Sequence, residues 1–219
     1  MVRTGIAIAD EDGLEAVTMQ RLAERLGTTK MALYRYVPGR AELDALMFDS
    51  AFDLPPSADG RDWDGRDWRG ALTRWAQALF AQALAHPWAV DLARRGHVPG
   101  PRELAWFETG LRAMDGLGLT SAQKLDALAI LSGHVMSLAR RSPTAETELA
   151  GALGPLLATR AGDYPLTAAA FSDTTAPGRD DGLRFGIHLV LDGIQAIAGG
   201  RPAVQAAGGR GARRAARPA

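Results

Sequence analysis

Residues 18–40 read TMQRLAERLGTTKMALYRYVPGR, and this stretch decides the fold. Two short helical patterns flank a glycine. The first, residues 19–26, sets apolar Leu22 and Leu26 four apart behind Thr18, a residue suited to an N-cap. Gly27 follows the last apolar residue, where the left-handed backbone of a helix C-terminus costs least without a Cβ. Thr28 or Thr29 then caps a second helix of about two turns, residues 30–36, with Leu33 and Val37 turned inward. Ala23, four before Gly27, is small enough to let two helices cross closely. This is the pattern of a helix-turn-helix. Thr29, Lys30, Tyr34, Arg35 and Tyr36 supply hydroxyls, phenols and cations that suit phosphates and base edges in a major groove. A plain helical hairpin with a solvated basic face is the alternative left open.

The longer stretch 13–47, GLEAVTMQRLAERLGTTKMALYRYVPGRAELDALM, resembles the DNA-binding domain of the tetracycline-repressor (TetR) family. The LAERLG first helix, the threonine cap, the ALYRYV second helix and the basic residue before the next helix carry the likeness. It implies an all-α chain: a three-helix DNA-binding head over residues 1–47 and a helical effector-binding and dimerisation domain over 48–198, entered through a linker at 54–70. It further implies a one-component transcriptional regulator: a repressor that holds a palindromic DNA operator as a homodimer and is released by a small hydrophobic effector. Carried onto matching positions, Thr29, Lys30, Met31 and Ala32 stand at base edges. Gln20, Tyr34, Tyr36 and Arg40 stand at phosphates, and Arg35 at either. The helices expected at 121–141 and 182–198 are implied as the dimer interface, and the one at 40–52 as the link between head and sensor. Release is expected to follow from the 88–95 helix shifting against that link.

Composition agrees with such a chain. Its 219 residues suffice for one large or two small domains, and 47% hydrophobic with 23% charged is ordinary for a globular protein. With no cysteine, disulfides, thiol catalysis and Cys-based zinc sites are excluded. No apolar run approaches the roughly 20 residues of a membrane span, and no signal-peptide h-region is present, so a cytoplasmic protein is expected. The formal net charge is zero, which by itself disfavours phosphate binding. Distribution matters more: Lys30, Arg35 and Arg40 gather at one edge of the head, while its acids fall at helix ends and on other faces.

Along the rest of the chain, residues 3–12 predict a short first helix with Gly5 unfavourably inside it, and 40–52 a helix striped by Leu43, Leu46, Met47 and Ala51. GRDW occurs twice in the linker, at 60–63 and 65–68, too short a period for a repeat architecture. Helices are expected at 71–85, 88–95, 102–117 and 121–141, the last capped by Thr120 or Ser121. Pro143 opens another toward Arg160, which Pro155 should kink or divide, and a single turn is expected near Ala168. The last helix, 182–198, is apolar on more than one face, so it must be buried on more than one. The tail 199–219 holds five arginines and no acid, and is expected to be disordered.

An effector cavity is expected between the four helices from 71 to 141. Its candidate walls are Trp75, Phe80, Trp88, Trp106, Phe107, Met114 and Met136, with His97 or His134 as polar anchors, against the alternative of plain core packing. The four histidines show no paired spacing for a metal, and Ser132-Gly133-His134 in mid-helix lacks the strand-turn-helix context of a nucleophile elbow. No cofactor, metal or enzyme activity is therefore expected. A DNA-binding regulator answering to a protein partner is the other reading, and an enzyme the remaining one.

Overall fold

The computed structural model describes residues 1–56, 67–140, 143–172 and 182–200, the segment 143–150 by its backbone alone. The second GRDW copy is reached only at its end, and the first copy and the basic tail from residue 201 onward lie outside these residues. Every regular element among them is helical. In chain order they are α1 (Val2–Asp12), a 3-10 turn (Leu14–Ala16), α2 (Met19–Arg25), α3 (Lys30–Tyr34), α4 (Arg40–Ala51), α5 (Trp68–Ala85), α6 (Pro87–Leu92), α7 (Pro101–Ala113), α8 (Ser121–Ala139), α9 (Pro143–Arg160), α10 (Pro165–Ser172) and α11 (Gly182–Ala198).

The head is set by its caps. Thr18 accepts the Arg21 N–H at 3.1 Å and starts α2. Gly27, at φ 61°, ends it by turning the chain so that the Thr28 N–H reaches the Ala23 carbonyl at 2.9 Å. Of the two threonines that follow, Thr29 caps α3, accepting the Ala32 N–H at 3.3 Å. Ile8, Leu14, Val17, Leu22, Leu33, Val37, Leu43 and Met47 are buried together beneath these elements. Leu26 is 38% exposed, so α2 is anchored by buried Leu22 and Ala23 with half-buried Met19 beside them. The stripe of α4 also differs from expectation: Leu46 faces outward and Phe48 is buried instead. Gly5 has a packing reason for its place in a helix, since a Cβ there would lie 2.8 Å from the Met47 sulfur, where α1 crosses α4.

The sensor is a stack in which α8 packs between α5 and α11. Leu72, Ala76, Leu128, Leu131, Val135, Ile187, Leu191 and Ile194 fill that stack at 5% exposure or less. Close crossings hold it: a Cβ on Gly110 would sit 2.5 Å from Leu128, and one on Gly186 would sit 2.1 Å from the His134 ring. α5 starts earlier than periodicity predicts because Asp67 caps it, accepting the Gly70 N–H at 2.8 Å, while Trp68 packs on the core. Thr120, not Ser121, caps α8 and forms a reciprocal capping box with Gln123. α9 is not divided at Pro155. The proline is exposed, so the carbonyl its missing N–H leaves unpaired can turn to water. α10 is two turns long, where sequence suggests one.

Candidate DNA-binding and effector sites

One face of the head is left without partners. Arg21 pairs with Asp12, Arg25 with Glu11 at 2.5 Å, and Arg40 with Asp44 at 2.6 Å. The hydrogen bond from Arg25 holds the Glu11 carboxyl below its ordinary range. That leaves Arg3, Lys30 and Arg35 as the head cations without an ion pair among the described residues, two of them on or beside α3. The balanced charge of the head therefore hides a polarised surface. On the same outward face Met31 is 75% exposed and Tyr36 82%, with Tyr34 also exposed and Ala32 half-buried. Thr29 is exposed with its oxygen engaged in the cap, and Gln20 is exposed but bonded to Glu24 at 2.5 Å.

Arg40 departs from expectation. Its Nε donates to Asp44, its Nη1 to the Val17 carbonyl at 2.5 Å, and its Nη2 to the Leu14 carbonyl at 3.0 Å. The guanidinium is spent tying α4 to the turn before α2, because Asp44, buried one helical turn away, needs a counter-charge. In this conformation Arg40 is first a structural tie, with three of its five N–H donors engaged within the head.

The second site is a cavity of about 650 Å³. Trp75 and Leu79 of α5, Trp106 and Phe107 of α7, and Met136 of α8 line it. So do Phe48, Asp49 and Phe52 of α4, the helix whose other end belongs to the head core. Trp75 and Trp106 meet edge to face with centroids 5.5 Å apart, and Phe48 and Phe52 do the same at 5.2 Å. Both indole N–H groups are already donated to backbone, Trp75 to the Trp106 carbonyl and Trp106 to the Asp53 carbonyl, each at 2.9 Å. Val90, Ala93 and Arg94 from the α6 end, with Glu103, Ser132, Gly133, Ser137 and Arg140, complete the wall.

Two family models match this chain. Residues 2–44 match the bacterial regulatory proteins of the tetR family, and residues 62–198 match the tetracyclin repressor-like C-terminal domain. The chain belongs to the TetR family. Among its relatives is the HTH-type transcriptional repressor DrrR1 of Streptomyces coeruleorubidus, 32% identical over 90% of this chain and 76% of that protein. An HTH-type transcriptional regulator of Saccharopolyspora erythraea is 30% identical over 91% of this chain and 84% of that protein. Among solved structures, ActR of Streptomyces coelicolor in complex with actinorhodin superposes with a TM-score of 0.76 at 26% identity. The match covers 90% of this chain and 96% of ActR.

Within this TetR-family chain, four of the nine expected effector residues line the cavity: Trp75, Trp106, Phe107 and Met136. The other five lie elsewhere. Met114 is fully buried core, and Phe80 packs against Ala83, Val90 and Ala139. Trp88 is buried with its N–H on Asp10 of α1 at 2.6 Å, and His86 meets the same carboxylate at 2.8 Å. His134 reaches the Gly182 carbonyl at 3.0 Å and serves the α8–α11 crossing. His97 stacks on Phe48 behind the cavity wall and bonds Glu103 at 2.8 Å and the Arg95 carbonyl at 2.9 Å. That carbonyl, with Glu103 adding, raises the His97 pKa against the opposing effect of burial.

Sequence reasoning missed the α4 wall. Phe48 lies on α4 and Phe52 just past its end, and their spacing of four was the available signal. Below the cavity, Asp49 accepts the N–H groups of Arg102 and Glu103 at 2.9 and 3.0 Å, and Arg102 donates to the Phe52 carbonyl at 2.9 Å. Arg95 reaches Asp44 at 3.4 Å. The head is thus tied to α6 and α7 by side-chain polar contacts. No three His, Asp or Glu among the described residues lie close enough to hold a metal ion, and no helix there is long and apolar enough to cross a membrane.

Proposed function

We propose that this chain is a cytoplasmic transcriptional repressor that binds a palindromic operator as a homodimer and lets go when a small hydrophobic effector fills the cavity. The observation that carries it is the outward face of α3: Lys30 and Arg35 unpaired, and Met31, Tyr34 and Tyr36 exposed, on a helix fixed from behind by Leu33 and Val37. Nothing in the folding of the head calls for that face, and its chemistry suits a major groove, with Thr29–Ala32 toward base edges and Tyr34 and Tyr36 toward phosphates. Gln20 reaches a phosphate only by leaving Glu24.

One such helix makes too few base contacts for specificity at physiological salt, so two copies on one face of the duplex are required. The exposed apolar residues of the two helices expected to pair support this. They are Leu125 and Ile130 on α8, and Phe185 and Leu189 on α11 at 68% and 58% exposure. Association of α8 and α11 into a four-helix interface would cover them. The effector half of the reading is supported by the cavity, whose volume falls in the range of small-molecule sites. α4 supplies both a cavity wall and a side of the head core, so a ligand that prefers a displaced α4 would respace the two heads. Val90, Ala93 and Arg94 of the 88–95 segment line the same cavity, which supports the expected shift of that segment against α4.

Selection of bound duplexes from a random pool by the full chain, with sedimentation of the protein alone, tests this. The expected result is an enriched inverted repeat and a dimer. A monomer, or a pool with no enriched sequence, contradicts it.

A further inference from the structure

The charges around the cavity are unequally satisfied. Asp49 is compensated by two N–H groups at the start of α7, and Glu103 by His97. Arg140 is paired with Asp91 at 3.1 Å. Arg94 alone among the ionised groups lining the cavity has no hydrogen-bond or ion-pair partner within the described residues. The aromatic lining adds a second constraint. With both indole N–H groups consumed, Trp75 and Trp106 present ring surface only, and Phe48, Phe52 and Phe107 can offer nothing else. Arg94 and the Ser137 hydroxyl are thus the lining polar groups with no side-chain partner among the described residues, and the hydroxyl can accept or donate.

We propose that the cavity takes a flat polycyclic aromatic acid, its rings among Trp75, Trp106, Phe48 and Phe52 and its carboxylate on the Arg94 guanidinium. The inference rests on reading the cavity as the effector site, and it names the class of ligand. Stacked and edge-to-face contacts favour a planar π-system over an aliphatic chain of equal area. A guanidinium offers a carboxylate two parallel donors, and Arg94 is exposed and free to turn toward one. A cationic ligand of the same shape would meet Arg94 with like charge and find both acids engaged.

Gly133 supplies the control. It lies in mid-α8, lines the cavity, and a Cβ built on it meets nothing within 4 Å, so a side chain there grows into the empty space. Gly133→Leu should fill the site and leave the helix intact, since leucine is the better helix former. Ser137→Leu is a second occluding variant should the first fold poorly.

The test is fluorescence anisotropy of three probes on the full chain: 1-pyrenecarboxylate, 1-pyrenemethanol and protonated 1-pyrenemethylamine. The acid should bind about tenfold tighter than the alcohol, the factor one charge-assisted hydrogen bond supplies, and the amine weakest. Arg94→Gln should bring the acid to the level of the alcohol and leave the alcohol unchanged, while the occluding variants abolish binding of all three. An acid no tighter than the alcohol, or a preference that survives Arg94→Gln, overturns the anionic class; the cavity then stands as a site if occlusion still blocks the alcohol. Failure of all three probes to bind the wild-type chain, or binding indifferent to occlusion, removes the cavity as a site and the effector reading with it.

Discussion

The stack of α5, α8 and α11 and the seam between the head and α6–α7 share one continuous apolar core but differ in how many polar ties they add to it. In the stack, buried Leu72, Leu128, Leu131, Val135, Ile187 and Leu191 interdigitate around glycine crossings, and the polar ties are few: His134 to Gly182, and Arg69 to Leu191 and Asp192. At the seam, Asp10 holds His86 and Trp88, Asp44 holds Arg95, and Asp49 holds the start of α7. Apolar packing is lost steeply when helices separate, because surface and dispersion contacts go together. A hydrogen bond exchanged for water changes stability by only about 1 kcal/mol. Allosteric coupling energies run about 1–3 kcal/mol. A ligand can supply enough to re-set the seam, and far too little to open the stack. On the proposed reading, a hinge for effector release is expected at the seam.

Substitutions sharpen that contrast, beginning with the largest effect. Leu128→Ala or Leu131→Ala should cost about 2–5 kcal/mol of unfolding free energy, since each leaves a cavity in a tightly crossed region. Urea denaturation measures it, and a loss below that of the seam variants would erase the distinction. Asp44→Asn should cost roughly 1–3 kcal/mol, because it leaves Arg40 and Arg95 short of a counter-charge at a buried position. Hydrogen exchange should show the loss concentrated in the Leu14–Ala16 turn and α4, with α8 and α11 as protected as before. Asp10→Ala should cost about 1 kcal/mol, the low end for leaving the N–H of buried Trp88 without its acceptor.

The smallest effect is set by pH. The His97 pKa is raised above 6.5 in the folded chain by the Arg95 carbonyl and Glu103. A raised folded pKa means the stabilisation is complete below the unfolded value and is lost as pH climbs through the folded one. The melting temperature of the wild type relative to His97→Gln should therefore fall as pH rises above 6.5. A difference flat in pH would remove His97 from the seam's ledger of contacts.

How much of this was legible in the sequence follows the same division. Local chemistry was readable: Thr18, Gly27 and Thr29 announce α2 and α3, because caps and left-handed turns depend on residues a few places away. Apolar periodicity marked α5, α7, α8 and α11. What escaped was long-range. Nothing near Arg40 in the chain says that its guanidinium will be taken by the Leu14 and Val17 carbonyls. Trp88 looked like cavity lining because an apolar ring carries no sign of the Asp10 carboxylate that claims its N–H. Phe48 and Phe52 fell outside the apolar stripe read for α4, although that helix was expected to link head and sensor. Gly5 read as a defect until Met47 was seen against it.

The central claim is that the exposed face of α3 reads DNA. A gel shift of the Lys30→Ala, Tyr34→Phe double variant on the duplex selected by the wild-type chain tests it most directly. Affinity should fall by about tenfold or more, as loss of two phosphate or base contacts implies, and its salt dependence should become shallower. A correctly folded, dimeric double variant that binds that duplex as tightly as the wild type, with the same salt slope, would contradict it.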